Sequence, residues 1–252
     1  MLYNVRKKTF PNGTIQYMWH SQYADEGYTA EAKKKKPRTE VDTERSLRVS
    51  RSRTVQAAYD ILAANRWALF VTLTFAQQIY DYEQLVAEIQ PFFRLLRENE
   101  IGYFFVMERH KKGGFHLHGV LTSAAALTLE PARSPHTGKL LVDNNGRQIY
   151  NILDYEDGFS TATYVDDSTK ASGYLCKYLT KEMDVPKGKK RYWSSRGLQR
   201  PVVEYLDMDN DDFFALVEPD DYKKVTEWAE QKFFFVEKKG EAREALQKHS
   251  TK

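Results

Sequence analysis

A chain of 252 residues, with 41% hydrophobic and 29% charged side chains, can build one extended domain or two small ones. Its single cysteine, Cys176, excludes an internal disulfide and any multi-cysteine metal site, which suits a reducing, cytoplasmic setting. No stretch approaches the ~18 uncharged apolar residues of a membrane span, and the start at Met1 lacks the apolar core of a secretory leader, so no membrane partner is expected.

The formal net charge of +3 is unevenly spread. Glu204 to Asp221 holds eight acids and no base, which leaves +11 on the remainder. Residues 1–42 read as a basic N-terminal arm. They contain a hairpin signal at Pro11-Asn12-Gly13 and end in the cluster Lys33, Lys34, Lys35, Lys36 and Arg38. A helix is expected over about 43–64, with Leu47, Val55, Tyr59 and Leu62 inward. Arg45, Arg48 and Arg51 recur every third residue along one ridge, which suits a phosphate backbone.

Leu69 to Phe75 is short, β-branched and aromatic, and reads as a buried strand. An amphipathic helix follows over about 81–99, with Pro91 as a candidate kink. Strands at 102–109 and 115–122 flank Lys111-Lys112-Gly113-Gly114, a hairpin with a basic tip. Residues 124–146 read as an irregular excursion, followed by strands at 147–153 and 159–166. A helix over 170–183 and strands at 191–195 and 201–206 come next. The chain closes with a helix over 219–231 and the apolar run Phe233 to Val236. Alternating helices and hairpin-linked strands point to an α+β fold with a largely antiparallel sheet.

Two constellations carry chemistry. Side chains two apart in a strand share a face, about 6.5–7 Å apart at Cα, so His116 and His118 can converge on one ion. If the hairpin pairs symmetrically, Glu108 falls opposite residues 115–117 and can join them. Two imidazoles and a carboxylate suit a catalytic divalent ion, Mg2+ or Mn2+. The second constellation is Gly173-Tyr174-Leu175-Cys176-Lys177-Tyr178-Leu179-Thr180-Lys181. Helical spacing puts Tyr174, Lys177, Tyr178 and Lys181 on one stripe and Leu175 and Leu179 on another. A phenol with pKa near 10 is a poor nucleophile at neutral pH, and flanking ammonium groups favour its phenolate. Further on, Arg191, Trp193 and Arg196 interleave aromatic and basic residues, as base stacking and phosphate pairing require.

In this order the motifs resemble the HUH endonucleases of the rolling-circle replication-initiator type, over about residues 69–196. Phe70 to Phe75 resembles the first motif. Glu108 with His116-Leu117-His118 resembles the metal-binding motif, and the doubled Tyr-x-x-Lys unit resembles the catalytic helix. Histidines preceding tyrosines is the initiator order; mobilisation relaxases run the other way. The two-tyrosine form is similar to initiators of single-stranded-DNA phages, and the region also to plasmid replication proteins.

The resemblance implies a central, largely antiparallel five-stranded sheet flanked by helices, in a split βαβ-type arrangement over 43–206. An acidic linker and helical extension, 207–252, would follow. It further implies a site-specific nickase that joins itself to the DNA 5′ phosphate through Tyr178, with Tyr174 as a second nucleophile. Its partners would be single-stranded and double-stranded origin DNA. A host helicase and polymerase would also be needed, because the chain lacks a phosphate-binding Gly-x-x-x-x-Gly-Lys loop. Two rival readings are a two-tyrosine transposase, disfavoured by the lone cysteine, and a non-catalytic single-stranded nucleic-acid-binding module.

Overall fold

The computed structural model describes residues 2–25, 40–109, 113–181, 188–216, 222–228 and 231–236. In chain order the elements are β1 (Leu2–Thr9), β2 (Ile15–Asp25), α1 (Glu40–Ala64), β3 (Leu69–Phe75), α2 (Tyr82–Glu98), β4 (Tyr103–Arg109), β5 (Phe115–Leu121) and β6 (Leu129–Pro131). They continue with β7 (Tyr150–Ile152), β8 (Gly158–Tyr164), α3 (Ser168–Lys181), β9 (Tyr192–Ser194), β10 (Val202–Leu206), α4 (Asn210–Leu216), β11 (Tyr222–Trp228) and β12 (Gln231–Val236). The chain divides into two compact units: Met1–Thr43 with Gln199–Lys252, and Glu44–Leu198.

The first unit is built on an antiparallel sheet of order β10-β1-β2-β12-β11. The β1–β2 turn falls at Pro11-Asn12-Gly13. Gly13 takes φ 84° there and the Thr14 amide donates to Asn12 Oδ1 at 3.0 Å. Val5, Tyr17 and Phe213 of α4 form its core. The helix expected over 219–231 is corrected here, because Tyr222–Trp228 is a strand paired antiparallel to β12. Tyr222, Val225, Thr226 and Trp228 are strand formers, and β2 offers β12 a strand edge. The C-terminal extension is therefore largely β-structured among the described residues. Likewise β10, expected to close the central domain, pairs with β1.

The second unit holds a seven-stranded antiparallel sheet rather than the expected five, in the order β6-β7-β8-β3-β5-β4-β9. The additional strands include three-residue pieces, β6 and β7, drawn from the excursion and the stretch after it. Strand alternation gives the sheet two faces. On one, Leu69, Val71, Leu73 and Phe75 meet Leu85, Ile89, Phe92, Phe93 and Leu96 of α2. Each such buried side chain contributes about 1.5–3 kcal/mol by leaving water. On the other, Phe104, Val106 and Val120 meet Ala58, Ile61 and Leu62 of α1 and Leu175 and Leu179 of α3.

Helix α2 runs through Pro91 without a break. It starts at Asp81, whose carboxylate accepts the Gln84 amide at 2.9 Å. Asp81→Ala should cost about 1 kcal/mol, read as a fall in melting temperature of roughly 2–4 °C. An unchanged melting temperature would show that the cap carries no stability.

Helix α3 is pinned to the end of α1. Ser172, 1% exposed, donates through its hydroxyl to Leu62 O at 3.0 Å and Ser168 O at 2.6 Å. Ser168 Oγ accepts the Trp67 amide at 3.0 Å, and Trp67 Nε1 donates to Leu62 O at 2.9 Å. These bonds fix where the next side chains of α3 meet the sheet. Among the described residues, no helix is long and apolar enough to cross a membrane.

Candidate active site

Directly paired residues of an antiparallel sheet share a face. The register therefore lays out the α3-covered face in rows. One row runs Phe159, Thr74, His116, Glu108 across β8, β3, β5 and β4; the next runs Thr161, Thr72, His118, Val106. Glu108 is opposite His116, within the range that a symmetric hairpin requires. The tip that joins them, including Lys111 and Lys112, lies outside the described residues.

Both imidazoles are held from β3. Thr72 Oγ1 and His118 Nδ1 are 3.1 Å apart, as are Thr74 Oγ1 and His116 Nδ1. When each hydroxyl accepts the Nδ1 proton, the Nε2 atom keeps its lone pair for a ligand. This is the outer support that metal-ligating histidines use. His118 Nε2 contacts Glu108 Oε2 at 2.8 Å. Thr72 and Thr74 were read from the sequence only as strand formers. Their alternation one strand away from His-x-His is a signal that needs the register to be interpreted.

Among the described residues, no three His, Cys, Asp or Glu side chains are gathered as a ready-made metal site. The donor set nevertheless fits a hard or borderline divalent ion. It offers one carboxylate and two threonine-oriented imidazoles on one sheet face, with Glu108 and His118 already in contact.

The α3 stripe lies above this face. Tyr178 stacks on His118, with ring centroids 4.2 Å apart and planes at 16°. Its hydroxyl donates to Tyr174 Oη at 2.6 Å. Tyr174, 47% exposed, packs its ring edgewise against Phe70 at 5.4 Å. Burial is the main reason that the Tyr178 phenol is pushed well above its ordinary pKa. The hydrogen bond to Tyr174, the Tyr174 charge and the Glu108 carboxylate act in the same direction. As it stands the phenol holds its proton, so it needs added positive charge to become a nucleophile. Lys177 is exposed on the stripe, and Lys181 lies outside the described residues as a side chain. Cys176 is largely enclosed, and burial pushes its thiol up to about 11, which makes it unreactive.

The remaining sequence-derived positions scatter. The side chains of Arg45 and Arg48 lie outside the described residues. Arg51 and Arg196 are exposed. Arg191 is half-buried, and burial together with the nearby Arg51 charge pushes its pKa down. Trp193 is a correction. It is 7% exposed and stacked on Tyr82 under α2, on the sheet face away from the histidines. Its ring is core, as strand alternation from the neighbouring Tyr192 requires.

Residues 68–183 match the model of a family described as Replication-associated protein ORF2. The matched stretch is a little under half of the chain and runs from just before β3 to just after α3. It contains Glu108, His116, His118, Tyr174 and Tyr178. This similarity supports a Rep-type protein of rolling-circle replication, with DNA as its partner. No curated protein and no solved structure gives a significant match to the chain.

Proposed function

We propose that the chain is a site-specific nickase and strand-joining enzyme of the two-tyrosine HUH type, which starts and ends rolling-circle replication at an origin. The observation that carries this reading is the stacking of Tyr178 on His118, with His118 in turn bonded to Glu108. A nucleophile and a metal-ligating set meet on one face, inside the stretch that matches the replication family.

In this mechanism the Tyr178 oxygen attacks the scissile phosphorus in line. The bond from phosphorus to the 3′ oxygen breaks, and that oxygen leaves as a 3′-hydroxyl after taking up a proton. The 5′ phosphate stays on the tyrosine as a phosphodiester, so a later 3′-hydroxyl can reverse the step and rejoin the strand. Glu108, His116 and His118 would hold a divalent ion, Mg2+ or Mn2+, which when bound supplies Lewis-acid polarisation of a phosphate oxygen. Thr72 and Thr74 hold the imidazoles in orientation. Lys177 and Lys181 favour the phenolate and offset charge on the phosphorane. Tyr174 attacks in the terminating transfer. Arg51, Arg191 and Arg196 contact phosphates along the strand, and host helicase and polymerase extend the displaced end.

The test is incubation of a labelled single-stranded oligonucleotide from the chain's own replicon with manganese. The expected result is a detergent-stable protein–DNA adduct that EDTA suppresses and that falls by at least tenfold in His118→Ala. Cleavage undiminished by EDTA or by loss of both histidines would remove the ion from the mechanism. Salt-sensitive binding with no adduct under any condition would favour the non-catalytic binding module instead.

A further inference from the structure

The row that carries Glu108 and His116 does not stop at Thr74. It continues onto β8 at Phe159, which is 73% exposed. The other residues that β8 contributes to this face are Thr161 and Thr163, so a polar residue serves structurally at equivalent positions. The leucines of α3 pack against β4 and β5 side chains, and its two tyrosines reach over β5 and β3. Beyond them the face is open at Phe159 and Thr161. The result is a strip floored by Thr72, Thr74, Thr161 and Phe159, with Tyr174 and Tyr178 along one side.

Phe159 is also held firmly in place. A Cβ on the preceding Gly158 would lie 2.2 Å from Thr74 O and 2.6 Å from the Ala76 amide nitrogen. Only glycine lets β8 press this closely on β3, next to the row of the active site. From strand spacing, Phe159 lies two strands, about 10 Å, from His116. That is too far to meet the scissile phosphate and near enough to meet a base beside it. A phenyl ring gains nothing from water, whereas every nucleobase offers it a flat apolar face.

From this we infer that Phe159 is the stacking platform for an unpaired base flanking the scissile phosphate. It acts as a positioning residue that sets where the single strand crosses the sheet. The inference rests on the strand-cleavage reading and names a subsite for it. The open threonine strip beside α3 is the track for the strand, and Phe159 stops one base at its end.

The test uses the full chain with Tyr174→Phe and Tyr178→Phe, so that binding is read without cleavage. Origin oligonucleotides carry a fluorescent 2-aminopurine at one position at a time. At one flanking position binding should quench the fluorophore, and Phe159→Ala should abolish that quench and weaken affinity roughly ten- to hundredfold. Phe159→Tyr and Phe159→Trp should preserve both, whereas Phe159→Leu should behave like Ala, with melting temperatures unchanged in all four. Affinity within twofold of the parent in Phe159→Ala, or full rescue by Leu, would overturn the stacking role. A wild-type chain that binds and quenches without ever forming an adduct would overturn the cleavage reading and leave the platform standing. A wild-type chain that binds no single strand would overturn both.

Discussion

Tyr178→Phe should lower covalent adduct formation by at least about 10³-fold, while DNA binding stays close to wild type. The ring that stacks on His118 is retained in this variant, so what is lost is the attacking oxygen. Tyr174→Phe should behave differently. Adduct formation should persist, and the transfer that ends a replication round should fail. Its pH dependence carries a sign. Burial raises the Tyr178 pKa most, and the Tyr174 hydroxyl adds to the rise through its hydrogen bond and its charge. Below that pKa the phenolate fraction grows about tenfold per pH unit, so the rate should climb with pH in both proteins. Removing Tyr174 Oη removes two of the raising causes, so the profile of Tyr174→Phe should move to lower pH. Single-turnover adduct formation between neutral and mildly alkaline pH measures this. An adduct that survives in the Tyr174→Phe, Tyr178→Phe double variant would end the tyrosine assignment. A dead Tyr174→Phe beside an active Tyr178→Phe would exchange the two roles.

How much of this was legible in the sequence depends on how local the signal is. The strand at Leu69–Phe75, the helix α2 and the polar stripe of α3 follow from alternation and helical spacing over a few residues. The placement of Glu108 opposite His116 follows from hairpin symmetry, which is still local. What failed was non-local. Thr72 and Thr74 touch the histidines only because β3 pairs with β5 across forty-odd residues, and no periodicity states that register. Phe159 joins the same row through β8 by the same route. Trp193 was misread because a basic-aromatic stretch looks the same whether its ring points to DNA or to α2. The segment 222–228 was misread as helical because its charges masked a set of strand formers whose partners, β12 and β2, lie elsewhere in the chain. The three-residue strands β6 and β7 are too short to leave a pattern.

Gly119→Ala should be the most destabilising small substitution near the site. Gly119 sits in β5 between His118 and Val120, opposite Phe105 and on the α2 face. A Cβ there would lie 2.3 Å from Phe105 Cδ1, 2.5 Å from Cε1 and 2.6 Å from Cγ. Phe105 is 0% exposed and packs against Phe93 at 5.4 Å and Tyr103 at 6.1 Å, so its ring has nowhere to retreat. Overpacking of this kind costs about 1–3 kcal/mol or more. At the upper end, melting temperature should fall by roughly 6–12 °C. Adduct formation should fall beyond the loss of folded protein, because the strand can relieve the clash only by moving, and His118 moves with it. Pairing Gly119→Ala with Phe105→Leu frees the space that the ring occupied. The double variant should therefore be more stable than the sum of the two single losses by about 1 kcal/mol or more. Additive losses, or a single substitution within about 0.5 kcal/mol of wild type, would mean that the β4–β5 pair tolerates a side chain at 119. The close contact would then not be what holds the His118 strand in register beneath Tyr178.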